Sequence, residues 1–214
     1  MNSSRGKVIT EESFRIIRSR LGDFSAGDDV TEIVIRIAHT TGDVEFGKSC
    51  YVPKLSVKRG IEAISSGCPI VTDVEMVRTG IRAALAEKLG CRVHCFLNDT
   101  EVIDGARQSG ETRSALGMRQ AAECSLLNGA VVAIGNAPTA LFALLSMIES
   151  GRVKPALVVG IPVGFVGALE SKQALYDSGY PCITNLSERG GSPIAAAIVN
   201  GLLFLAEQRA EQRG

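Results

Sequence analysis

The apolar positions of this chain change period near residue 67. Before it they recur at helical spacing. An early helix runs through FRIIRSRL (14–21), with Thr10 as its cap and Glu11 and Glu12 near its positive end. A second helix starts near Asp28 and carries Val30, Val34, Ile37 and Ala38 on one face, which brings HTTGD (39–43) to its C-terminal end. A third covers Leu55–Ser66, and Gly67 ends it as a C-cap. After residue 67 the pattern becomes short β-branched runs, each followed by a polar or glycine turn and a helix. The predicted strands are PIVTD (69–73), RVHCFL (92–97), AVVAIG (130–135), ALVVGI (156–161) and a weaker PCITN (181–185). Helices are predicted over 74–88, 111–128, 138–150, 168–177 and 193–208, with the charged end AEQRAEQRG (206–214) expected to fray.

Strands that are apolar throughout and alternate with helices predict a mostly parallel sheet covered on both faces. Five of them fit a flavodoxin-like three-layer α/β/α sandwich, preceded by extra N-terminal helices. At roughly 150 residues per domain, 214 residues make one domain spanning 1–214. Ligands of such sheets collect beyond the carboxyl ends of the strands. The unusual loops are predicted there: TDVEM (72–76), GNAPTA (135–140) and GIPVGFVG (160–167).

Composition narrows the function more than the fold. Hydrophobic residues at 45% and charged ones at 21% exclude a disordered chain. The 23 basic and 23 acidic residues balance, so a general polyanion surface is not expected. With no Trp and 5% aromatic residues, platforms for stacking bases are missing, and nucleic acid is not a predicted partner. Six cysteines without a C-x-x-C pair read as reduced thiols of the core. Cys91, His94 and Cys95 lie in a strand whose neighbours alternate faces, so no metal site is expected. The stretch MNSSRGKVITEES lacks the apolar run of a secretory signal. The longest apolar run is broken by Gly135, Asn136 and Pro138, which leaves no membrane span and points to a cytoplasmic protein.

Candidate chemistry gathers in a few segments. In GNAPTA, Asn136 fits a helix cap and Pro138 a first helical turn. The segment is either an ordinary strand-to-helix turn or a place where free N–H groups bind an anionic part of a substrate. Gly160, Gly164 and Gly167 match neither a dinucleotide fingerprint nor a P-loop, but allow the backbone to approach a flat ligand. Lys172, just inside the next helix, is either solvated or a charge for that ligand. Of the two histidines, His94 in its strand reads as a packed residue. His39 adjoins Thr40, Thr41, Gly42 and Asp43 at a helix end, where the dipole tunes its charge, and is the better acid or base. Arg36 precedes His39 by three positions and shares its face. Arg113, near the start of a helix, is either a surface or capping residue or a bidentate carboxylate contact. Ser13 on its own is a polar residue of an early helical turn.

Taken together these segments resemble the precorrin-8X methylmutases, the corrin-ring methyl-shifting enzymes of cobalamin biosynthesis. The matching pieces are ESFRII (12–17), HTTGD (39–43), TRS (112–114), GNAPTALF (135–142), GIPVGFVGALESK (160–172) and GGS (190–192) with the following AAAIVNGLL. They span nearly the whole chain in order. The resemblance implies an isomerase that moves a methyl group around ring C of precorrin-8X or cobalt-precorrin-8 by a 1,5-sigmatropic shift, giving hydrogenobyrinate or cobyrinate. It implies a flavodoxin-like fold, a homodimer and no cofactor, with transient contacts to neighbouring pathway enzymes. His39 falls on the family's catalytic histidine, and Ser13 and Arg36 on substrate contacts. Thr40, Arg113, Asn136, Gly164 and Lys172 complete the expected substrate-binding set. HTTGD and the IVNGLLF tail look closer to the cobalt-dependent, anaerobic branch. The alternative is a corrinoid carrier with the same pocket and no turnover.

Overall fold

The computed structural model describes residues 4–24 and 26–212. Residues 1–3, part of the stretch read for a secretory signal, and residues 213 and 214 of the charged C-terminal end lie outside the described residues. In chain order the elements are α1 (Ser4–Leu21), α2 (Asp28–Thr41), α3 (Val44–Ser49), α4 (Lys54–Ser65), β1 (Ile70–Thr72), α5 (Glu75–Gly80), α6 (Ala83–Lys88), β2 (Val93–Cys95), α7 (Thr100–Ser109), α8 (Arg113–Glu123), β3 (Val131–Ile134), α9 (Pro138–Glu149), β4 (Leu157–Gly160), α10 (Ala168–Asp177), β5 (Cys182–Thr184) and α11 (Ser192–Glu211).

The five strands form one sheet in the order β2-β1-β3-β4-β5, and every pairing is parallel. This is the flavodoxin-like order, with the switch point between β1 and β3. Strands β1, β3, β4 and β5 are buried at every position, as their continuous apolar runs require. One core packs α4 and α11 against the sheet, with α2 laid over α11. The other lies under α8, α9 and α10. Among the described residues no helix is long and apolar enough to cross a membrane.

Several boundaries differ from the sequence reading, each for a local reason. Helix α1 begins at Ser4, so Thr10 is not a cap; its hydroxyl donates back to the Gly6 carbonyl at 3.1 Å within the helix. The helix expected over 74–88 breaks into α5 and α6. Asn200 of α11 brackets the break, donating to the Gly80 carbonyl and accepting the Arg82 N–H, at 2.9 and 2.8 Å. Helices α3 and α7 occupy stretches read as connections. The expected fraying does not begin at 206: α11 continues to Glu211, tied by Arg209 to Asp29 and by Lys88 to Glu207. All six cysteines are free thiols, but Cys124 is exposed and Cys95 half-buried rather than in the core.

Candidate functional site

The first surprise lies at the switch point. Asp73 ends β1 and is buried, and its carboxylate accepts the backbone N–H groups of Gly135, Asn136 and Ala137 at 3.1, 2.8 and 2.7 Å. These are the donors that the sequence offered to an anionic ligand. They are occupied by the protein's own carboxylate, and Asn136 is not the cap of α9: it is exposed, and Ala137, whose side chain makes no cap hydrogen bond, holds the N-cap position. Burial pushes the Asp73 carboxyl above its ordinary value, and the three N–H donors act against that shift.

The chemistry therefore gathers elsewhere, around the C-terminal half of α2. Arg36, His39 and Thr40 lie at i, i+3 and i+4 on one face of this helix. His39 and Thr40 are exposed, whereas Arg36 is held between aromatic rings. Its guanidinium carbon is 5.5 Å from the centre of Phe14 and 4.6 Å from that of Phe204. The edge of the His39 ring meets Phe14 at 5.2 Å between centroids. Ser13, half-buried on α1, is the neighbour of that phenylalanine. Thus α1 and α2 bring Phe14, Arg36 and His39 together with Thr40 on the same face of α2, and Ser13 is linked to them only as the chain neighbour of Phe14.

Glu32 fixes the arginine. One carboxylate oxygen pairs with Arg36 at 2.8 Å and the other with Arg18 at 2.9 Å. Burial pulls the Arg36 guanidinium below its ordinary value, Glu32 opposes this, and nearby Arg82 adds to it. The same residues line a cleft of about 770 Å³ between α1, α2 and α11. Its charged lining is balanced, Glu11, Asp28, Asp29 and Glu32 against Lys7, Arg18, Arg36 and Arg82, and Arg36 alone lies against aromatic rings, where it suits a carboxylate arm of a flat ligand.

The HTTGD segment turns the chain sharply at this end. Gly42 adopts the left-handed conformation, φ 68°, that closes α2, and Asp43 then caps α3 by accepting the Phe46 N–H at 2.9 Å. Asp43 also pairs with Arg189 at 2.9 Å, and Arg189 stacks on Phe46, 4.1 Å from the ring centre. The Phe46 N–H and then Arg189 hold the Asp43 carboxyl below its ordinary value.

Arg189 belongs to the loop 185–191, which is packed on the loop after β4. Gly164 donates to the Glu188 carbonyl at 3.1 Å, and Gly191 to that of Ile161 at 2.9 Å. Gly190 has no room for a side chain: a Cβ there would lie 2.3 Å from the Ile161 oxygen and 2.7 Å from that of Pro162, both backbone. Gly190→Ala is expected to push the two loops apart at a cost of about 1–3 kcal/mol, read as a lowered thermal midpoint with weakened ligand binding. Beyond the packed part, the tip of the loop stands free, with Phe165 94% and Val166 89% exposed.

Three expected contacts are placed differently. Lys172 is fully buried, and its ammonium donates to Asn185 Oδ1 at 3.3 Å, to the Arg189 carbonyl at 2.8 Å and to the Ser187 carbonyl. It is neither solvated nor directed at a ligand. Arg113 is exposed at the start of α8, whose core lies on the sheet face opposite α2. Within one chain it is therefore not brought to His39, and neither is Asn136. His94 is half-buried in edge strand β2, and burial lowers its basicity, consistent with a packed residue. The sequence reading missed Asp73, Glu32, Phe14, Phe204 and Arg189. Among the described residues no three His, Cys, Asp or Glu side chains converge as a metal ion would require.

A doubly wound α/β protein with its conspicuous loops at the carboxyl edge and a cleft of mixed charge, with an arginine set between two phenylalanines beside an exposed imidazole, defines a class: an enzyme for a flat small molecule with polar arms. Comparison with known proteins narrows it. The family model for precorrin-8X methylmutase matches residues 8–205. A cobalt-precorrin-8 methylmutase of Leptospira interrogans is 38% identical over 213 residues, 97% of each chain. A precorrin-8X methylmutase of Sinorhizobium sp is 40% identical, over 92% of this chain and 93% of the relative. The solved precorrin-8X methylmutase of Thermus thermophilus superposes with a TM-score of 0.84 at 35% identity, covering 94% of this chain and 98% of its own. The chain belongs to the precorrin-8X methylmutase family.

Proposed function

We propose that this protein is an isomerase of cobalamin biosynthesis that moves a methyl group between neighbouring ring C carbons of precorrin-8X or cobalt-precorrin-8, with His39 as the acid. The observation that carries the reading is an imidazole at the open end of α2, one turn beyond an Arg36 set between two phenylalanines, in a chain matched by one family model along residues 8–205. A 1,5-sigmatropic shift breaks one carbon–carbon bond and makes another within a single conjugated system. It consumes no redox equivalent, nucleophile or methyl donor. What a protein contributes is orientation and stabilisation of the charge that develops on the ring. His39, as imidazolium, donates a proton or hydrogen bond to the ring nitrogen beside the migrating centre. Arg36 receives a carboxylate arm, and Ser13 and Thr40 supply hydroxyl contacts on either side of the imidazole.

A homodimer and residence in the cytoplasm belong to the same reading. Two neighbouring apolar side chains standing nearly free in solvent, Phe165 and Val166, support a partner surface on the loop after β4. Arg113 and Asn136, held away from His39 within one chain, would meet substrate through such an assembly.

The test is conversion. Purified protein incubated without added cofactor with precorrin-8X, and separately with cobalt-precorrin-8, should change the visible spectrum as the conjugated system rearranges. The cobalt substrate is expected to react faster, following the resemblance of HTTGD to the anaerobic branch. Tight binding without conversion of either substrate would instead establish the carrier.

A further inference from the structure

We propose that Lys172 is a positioning residue: its buried ammonium gathers the loop 185–191 and, through the Arg189–Asp43 ion pair, holds the end of α2 that carries His39 and Thr40. The effect on catalysis rests on the methylmutase reading; the effect on the loop does not.

The geometry forms one continuous chain of contacts. The ammonium has three N–H groups and finds three acceptors, Asn185 Oδ1 and the carbonyls of Ser187 and Arg189. Asn185 closes the same turn by donating to Ser187 Oγ at 2.7 Å and to the Arg189 carbonyl at 2.9 Å. Residues 187 and 189 are therefore fixed from two sides. The Arg189 guanidinium then lies on Phe46 and pairs with Asp43, two residues after Thr41, the last residue of α2. A hydrophobic residue in place of Lys172 would leave Asn185 Oδ1 and the Ser187 carbonyl without this donor, the Arg189 carbonyl keeping only Asn185, and the turn would have to rearrange to satisfy them.

A point charge, rather than a neutral donor, is required at this place. A neutral amine has two N–H groups and a lone pair, so one of the three oxygens would face that lone pair. Burial pulls the Lys172 ammonium down to about 8 and Glu188 in the loop acts to raise it, while Cys50 lies near it at the end of α3. The Cys50 thiol is itself pushed up to about 12 by burial and stays neutral across this range. Arg189 is the other charged group of the loop, and it is directed at Asp43. Above about 8 the closed loop therefore holds a neutral amine with one donor too few, which changes the local geometry of the turn without opening it. The sign for overall stability is opposite: the unfolded lysine, with an ordinary value of 10.5, holds its proton longer, so between about 8 and 10.5 this group favours folding increasingly as pH rises. Loss of activity in that window would therefore be local and not global unfolding.

The experiment compares wild type, Lys172→Met and Lys172→Arg. Lys172→Met is expected to lower kcat by about tenfold or more while KM changes less than threefold, because a slightly displaced acid affects turnover before binding. Wild-type kcat is expected to fall above pH 8. Lys172→Arg, which keeps its charge throughout, should retain part of kcat and lack the part of the fall that Lys172 adds to the basic limb of the His39 imidazolium. Amide exchange of peptides covering 185–191 and 39–43 should lose protection together in Lys172→Met relative to wild type at one pH, and stay near wild type in Lys172→Arg. Should Lys172→Met fail to fold, the arginine variant carries the test alone. Unchanged kcat in the methionine variant overturns the proposal. If wild type converts neither substrate, the methylmutase reading fails. The exchange data then decide, and protection in Lys172→Met equal to that of wild type refutes the positioning role.

Discussion

Replacing His39 by alanine is expected to lower kcat by about 10²- to 10⁴-fold, the range of a positioned general acid, while leaving substrate binding within a few-fold of wild type. At about 1.4 kcal/mol per tenfold, this is a loss of about 3–5 kcal/mol of transition-state stabilisation. The fold should not confound the result. His39 is exposed, and its one aromatic contact is the edge-on meeting with Phe14, worth about 0.5–1.5 kcal/mol. Single-turnover spectra and spectral titration of both proteins separate the two effects. His39→Asn refines the reading, because an amide donates a hydrogen bond but cannot transfer a proton at neutral pH. Recovery of part of the rate by asparagine would assign His39 to hydrogen bonding, and a rate as low as that of alanine would assign it to protonation. Wild-type turnover by the alanine variant would remove His39 from the mechanism, and loss of binding with loss of turnover would make it a holding residue.

The sheet and half of this region were legible because they depend on local patterns. Runs such as AVVAIG and ALVVGI are apolar at every position only if both faces are covered, and that dictates parallel strands under two helical layers. HTTGD carried its own geometry: a glycine for the left-handed close of α2 and an aspartate for the next cap. The break between α5 and α6 could not be read, because its cause is Asn200, more than a hundred residues away. The setting of Lys172 was equally invisible. In the sequence it is one polar residue of an amphipathic helix, and only the fold of 185–191 around it turns it into an internal charge. Phe14 and Phe204 flank Arg36 from opposite ends of the chain, and no spacing rule connects them. Asp73 left a faint signal, an acidic residue directly after a buried strand, in the loop TDVEM.

Asp73→Ala is expected to give the largest loss of stability of any single substitution outside the apolar core. The carboxylate satisfies three N–H groups at the start of α9, two of them on the buried residues Gly135 and Ala137. Each orphaned buried donor costs about 1–3 kcal/mol, so the loss is about 3–6 kcal/mol, a large part of the roughly 5–15 kcal/mol that holds a typical domain. For a chain of this size it corresponds to a thermal midpoint lowered by about 10 °C or more. A Cβ on Gly135 would lie 2.7 Å from Ser192 Cα, which shows how tightly α11 closes over the turn. Asp73→Asn keeps one acceptor oxygen and turns an N–H₂ toward the third backbone donor, so its midpoint should fall between those of wild type and alanine. The switch-point crevice that lets related sheets hold an anionic ligand is here closed by an internal anion, and that closure moves the ligand-facing chemistry to α2. If Asp73→Ala instead melted with wild type, the three N–H groups would have another acceptor, and the crevice would be open to ligand after all.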